Sequence, residues 1–147
     1  EWQTETKRGG RMRIFFGLLF ATFINILMDI FGYFLVLNSF LSNYAPTNVT
    51  VPTAQNYLWT FFLKFIVIST LAWIMYRVMT MLDTPKKRVL FIFFIGTSLS
   101  IYSEVDLFWV KESFIWSLII ILGQSTNWLL TGFVLSRFMR PRHLGAF

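Results

Sequence analysis

The stretch "IFFGLLFATFINILMDIFGYFLVLNSFL", Ile14 to Leu41, carries a single charged side chain, Asp29. No other feature restricts the fold of this chain as strongly. A hydrocarbon layer of ~30 Å is crossed by about 20 helical residues. A run this long and this apolar suits a bilayer better than the core of a small soluble domain. Three further apolar segments follow, at about Tyr57 to Met79, Val89 to Phe108 and Ser113 to Phe138. The expected fold is therefore all-α, an integral membrane bundle of four transmembrane helices.

Composition agrees with this reading. The 147 residues are 56% hydrophobic and 14% charged, whereas a soluble domain carries about a quarter charged residues. The expected organisation is a polar flank over 1–13, a four-helix domain over 14–138 and a tail over 139–147. The first run is too long for a signal-peptide core, and no small-residue cleavage site closely follows it, so it reads as a retained span. "SNYAPTNVTVPTAQN" joins the first two spans without a charge. "MLDTPKKR" joins the next two, with Pro85 expected to stop the helix.

Lys and Arg alternate between the connections. The N-terminal flank has Lys7, Arg8, Arg11 and Arg13, and the first loop has none. Lys86, Lys87 and Arg88 lie in the second connection, with Arg77 nearby, and the third has only Lys111. Arg137, Arg140 and Arg142 follow the last span. The net charge of +6 therefore reads as loop charge that sets orientation, and not as a nucleic-acid surface. Both termini are expected on the cytoplasmic side, in a bacterial inner membrane. Tyr44, Tyr57, Trp59, Trp109 and Trp116 would form an aromatic belt at the outer interface.

A few charges fall inside the apolar runs. Asp29 lies about 24 Å along the first helix from Arg13 at ~1.5 Å per residue, and Lys64 lies roughly 10 Å in from Tyr57. Val89 to Ser103 spans roughly 22 Å between Arg88 and Glu104, which puts Glu104 at or just inside the outer boundary. The three depths are similar. An Asp29–Lys64 ion pair is expected, with Glu104 close enough to compete for the lysine. The competing expectation is that Lys64 snorkels along its stem to water or headgroups.

Polar and small residues form stripes that would face one another. Ala21, Asn25, Asp29 and Gly32 share a face of the first helix, and Gly96, Ser100, Ser103 and Glu104 share one of the third. In the fourth, Gly123, Asn127 and Thr131 align with Gln124 beside them. Small residues permit close approach, and amides and hydroxyls bond across it. The same pattern also suits a path for a proton, an ion or a polar headgroup. Both uses remain open at the level of sequence.

No P-loop, nucleophile elbow or zinc-binding spacing occurs. There is no Cys, and one His, His143, close to the C-terminus. Cofactor and metal sites are not expected, and neither is catalysis.

In the C-terminal half, "RVLFIFFIGTSLS" and "TGFVLSRFMRPR" resemble the GtrA-like family of small four-helix membrane proteins. The resemblance covers roughly the last 60 residues and rests on a basic residue before an apolar helix, on Gly96-Thr97 and on Arg137-Phe138. It implies a role in moving polyprenyl-phosphate-linked sugars or assisting their movement. Arg137, Arg140 and the cluster Lys86, Lys87 and Arg88 would then meet lipid phosphate, and Lys64 could meet one at greater depth. The alternative for the surface cations is topology-setting charge alone. Three functions follow as expectations: a non-catalytic subunit of a larger membrane assembly, a carrier or accessory for lipid-linked sugars, or an ion relay through Asp29, Lys64 and Glu104.

Overall fold

A computed structural model describes residues 2–32, 53–104 and 114–139, with side chains from residue 12 onward. Four helices account for nearly all of it: α1 (Trp2–Gly32), α2 (Ala54–Arg77), α3 (Pro85–Glu104) and α4 (Phe114–Phe138). The expectations for the first and third loops and for the C-terminal tail, Arg140 included, lie outside the described residues.

Helix boundaries follow local chemistry. α1 begins well before the apolar run, because the polar flank is rich in straight-chain residues that favour helix. The flank expected over 1–13 is thus largely one continuous helix with the first span. Thr53 caps α2 from extended backbone, its hydroxyl accepting from the Asn56 N–H. α2 ends at Arg77, ahead of a turn over 78–81. Contrary to the sequence expectation, Pro85 therefore does not stop α2. It opens α3, where its missing N–H and fixed φ suit the first helical position. Thr84 caps that start by accepting from the Lys87 N–H at 3.3 Å.

Three helical segments are long and apolar enough to cross a membrane: Met12–Gly32, Ala54–Arg77 and Phe114–Phe138. The fourth expected span is not among them. Three basic residues occupy the first turn of α3, and Glu104 closes its described part, so the apolar stretch between them is short. The remainder of that expected span, 105–108, lies outside the described residues.

In space the helices follow the order α3–α4–α1–α2, and α2 touches α3 lightly. α3 and α4 make the most extensive contact. Trp128 packs directly on Gly96, where even an added Cβ would collide with its ring. Gly132 sits as closely against α3, and a Cβ added there would lie 2.9 Å from the Val89 carbonyl oxygen. Only glycine allows these approaches.

On α1 and α2 the packing is concentrated at one end of the bundle, whereas α3 and α4 stay buried further along, at Ser100, Trp116 and Ser117. That end holds Ile68, Leu71, Met75 and Met79 after mid-α2, Ile92 on α3 and Leu135 near the end of α4, all buried. Towards the other end, α1 has no buried residue after Asn25, and α2 has none before Ile68. The outward faces are almost entirely apolar, with Phe16, Phe20, Phe23, Leu27 and Phe31 forming a stripe down α1.

Candidate functional site

Side chains with hydrogen-bonding capacity meet at the level where burial on α1 and α2 gives out. Asn25 and Asp29 lie one turn apart on α1, so their side chains stack on one face. Lys64 reaches them from α2. Its ammonium pairs with Asp29 Oδ2 and donates to Asn25 Oδ1 at 2.6 Å. From α4, Gln124 and Asn127 both donate to the other carboxylate oxygen, Asp29 Oδ1, at 3.1 and 2.6 Å. Asn25 completes the network by donating to Thr131 Oγ1 at 3.0 Å.

The arrangement joins three helices through one carboxylate. Asp29 accepts three hydrogen bonds, one of them from a cation, which compensates its removal from water. Asn25 is 2% exposed and Asn127 is 3% exposed, whereas the Asp29 and Lys64 side chains keep 27% and 22% of their surface. The site is therefore closed towards the core and partly open on one side. One polar atom in it stays unsatisfied: Asn127 Oδ1 is buried and has no partner.

The expected ion pair is present, and the snorkelling alternative for Lys64 is not. Asn25, Gln124 and Asn127 join it as the stripes suggest, with Thr131. Glu104 does not. Lys64 makes no ion pair with it, and Glu104 Oε2 is buried without a hydrogen-bond partner. Glu104 instead lies beside Ser117 of α4, whose buried hydroxyl is likewise without a partner of good geometry. At two stripe members an added Cβ would meet nothing within 4 Å among the described residues. These are Gly32 and Gly123.

The basic residues divide into two groups. Arg13 donates to the Arg137 carbonyl at 2.8 Å, and Arg88, 3% exposed, donates to the Ser136 and Met139 carbonyls. Both side chains satisfy carbonyls that the end of α4 leaves without helical partners. Sequence reasoning assigns Arg13 and Arg88 only to orientation or to phosphate, and nothing in the sequence indicates that they reach α4. Lys86, Lys87 and Arg137 remain exposed, with Lys87 paired to Asp83 at 2.8 Å across one turn. That hydrogen bond holds the Asp83 carboxyl below its ordinary value. For Arg11 only the helical backbone is described.

Two further residues take roles the sequence does not announce. Trp128 donates its indole N–H to Ser100 Oγ at 2.9 Å, locking α3 to α4 inside the core. Trp116, expected in the aromatic belt, is 6% exposed and packs within the bundle, while Trp59 stays exposed as expected. No protein-family model, curated protein or solved structure matches this chain.

Proposed function

We propose that the chain is an integral membrane protein acting as a non-catalytic subunit of a larger membrane assembly. In this reading all four helices cross a bacterial inner membrane, with both termini in the cytoplasm. α3 crosses too in this reading, as the shortest of the four spans. The observation that carries it is the way the polar groups are used. Asp29, Lys64, Asn25, Gln124, Asn127 and Thr131 bond to one another across three helices, so the intramembrane charge serves chiefly to hold the bundle together. The outward faces of α1, α2 and α4, by contrast, offer large apolar side chains such as Phe23, Phe62 and Leu122. In a bilayer these meet lipid or the helices of partner subunits.

A second reading, an accessory role for polyprenyl-phosphate-linked sugars, draws on the GtrA-like resemblance and on one structural observation. Lys86, Lys87 and Arg137 are exposed at the same end of the bundle, linked through the Arg88–Met139 contact. Such a cluster suits a lipid phosphate. The relay reading has less behind it, because Lys64 engages Asp29 and Asn25 while Glu104 stands apart.

Native mass spectrometry after gentle extraction from the source membrane separates these readings. Stoichiometric partner chains are expected. A lone chain carrying a polyprenyl phosphate transfers support to the second reading, and a lone chain without ligand overturns the subunit reading.

A further inference from the structure

Each of the four helices carries a cation at the same end of the bundle: Arg13 on α1, Arg77 on α2, Lys86 on α3 and Arg137 on α4. The Arg13 and Arg88 contacts to the end of α4 bring α1, α3 and α4 together there. A short connection, 78–84, brings the end of α2 to the start of α3. All four side chains are exposed, and none makes an ion pair among the described residues. Asp83, the one carboxylate among the described side chains at this end, is already paired to Lys87. The positive charge is left for something outside the chain.

One turn deeper, each cation has an exposed apolar neighbour on the same face of its helix. Phe16 follows Arg13, Trp73 precedes Arg77, Leu90 follows Lys86 and Phe133 precedes Arg137. On α2 and α4 the two groups touch. The Arg77 guanidinium lies over the Trp73 ring, 5.2 Å from its centroid, and that of Arg137 lies 5.4 Å from the Phe133 centroid. Both guanidinium groups are thereby drawn back towards the apolar part of the helix.

This pairing of charge with apolar surface narrows the occupant. A free anion uses the cation and leaves the apolar neighbour in water. An acidic soluble surface would have to cover the outward faces of four helices at once. A phospholipid suits both groups, its phosphate meeting the cation and its acyl chains the side chain below. Anionic headgroups are favoured over zwitterionic ones, which carry a cation of their own. At the other end, no described residue outside the Asp29–Lys64 pair is Lys or Arg, so the preference belongs to one leaflet.

We propose that this end of the bundle is a belt selective for anionic phospholipids, with the Arg77–Trp73 and Arg137–Phe133 pairs as its best-defined contacts. The belt needs neither a partner subunit nor a lipid-linked sugar, but it rests on the helices being membrane-embedded.

Trp73, 59% exposed, is its own reporter, because an acyl chain brominated near the headgroup quenches indole fluorescence on contact. The full chain and its Trp73→Phe variant are reconstituted in phosphatidylcholine vesicles. These contain a minor fraction of brominated phosphatidylglycerol or, for comparison, of brominated phosphatidylcholine. Subtracting the variant isolates the Trp73 signal. Trp59→Phe isolates in the same way the signal of Trp59, exposed towards the other end.

At Trp73, brominated phosphatidylglycerol should quench as though concentrated about fivefold over brominated phosphatidylcholine, and the two should act equally at Trp59. Arg77→Gln should remove the preference. Replacing chloride by inorganic phosphate at equal ionic strength should leave it intact, and its loss would assign the cations to a free anion and overturn the lipid as occupant. Equal quenching by both lipids at Trp73 overturns the belt alone and leaves the cations to an acidic partner. A preference that survives Arg77→Gln, or that is as large at Trp59, also overturns it. Absence of quenching by either lipid at both tryptophans overturns the membrane placement, and the proposal with it.

Discussion

Asp29 accepts from Lys64 on α2 and from Gln124 and Asn127 on α4, so a single carboxylate ties three helices together. Removing one partner of a low-dielectric pair leaves a charge without compensation, and that state costs more than losing the pair altogether. Asp29→Asn or Lys64→Met alone should therefore destabilise the protein by about 2 kcal/mol. This is less than the ~3–5 kcal/mol typical of a fully buried pair, because both side chains are partly solvated. The double variant should lie within about 1 kcal/mol of the parent. Thermal unfolding in detergent, followed by helical circular dichroism, measures all three. Strictly additive losses would show that the two charges act independently. The pair itself is legible from residue spacing, since ~1.5 Å per residue fixes depth along a straight helix. The exclusion of Glu104 is not legible, because depth says nothing about which way around the bundle a side chain faces.

At the level of the element, α4 is the hub and α3 its closest neighbour. Gly96 accommodates the Trp128 ring, and that ring reaches Ser100 through its N–H. An added methyl at Gly96 would force Trp128 to move and break that hydrogen bond. Gly96→Ala should cost about 1–3 kcal/mol through overpacking. Gly123→Ala, which meets nothing within 4 Å, should be neutral or slightly stabilising, since alanine is the better helix former. The same unfolding assay compares them, and equal effects would disprove the packing argument. Both glycines belong to small-residue stripes in the sequence. Helical periodicity identifies a face but does not say whether a neighbour occupies it, so only the assembled pair distinguishes the glycine under Trp128 from the one facing outward. The same limit explains Arg88. Its position after Thr84 and Pro85 marks a helix start, yet its guanidinium bridges the carbonyls of Asp83 and Thr84 beside that start to those of Ser136 and Met139 near the end of the chain.

For the molecule as a whole, α3 is the element that tests the proposed four-span topology, because its apolar stretch is shorter than those of the other three helices. Single cysteines at exposed positions address this directly. Asn56→Cys and Lys86→Cys should be labelled by an impermeant thiol reagent from opposite sides of the membrane. Tyr102→Cys, at a position 80% exposed, should be labelled from the same side as Asn56→Cys. Labelling of Tyr102→Cys from the Lys86 side would mean that α3 does not cross. The four helices, and the apolar runs long enough to cross a membrane in three of them, follow from the sequence alone, because they depend on composition and length, which are local properties. The Asp29–Lys64 pairing is within reach for the same reason. The tertiary structure decided the rest: the neighbour order α3–α4–α1–α2, the use of Arg13 and Arg88 at the end of α4, and the separation of Glu104 from the ion pair. Each depends on the rotation of one helix about its axis relative to another. That rotation is set by close packing at residues such as Gly96 and Gly132, and no property of a single helix specifies it.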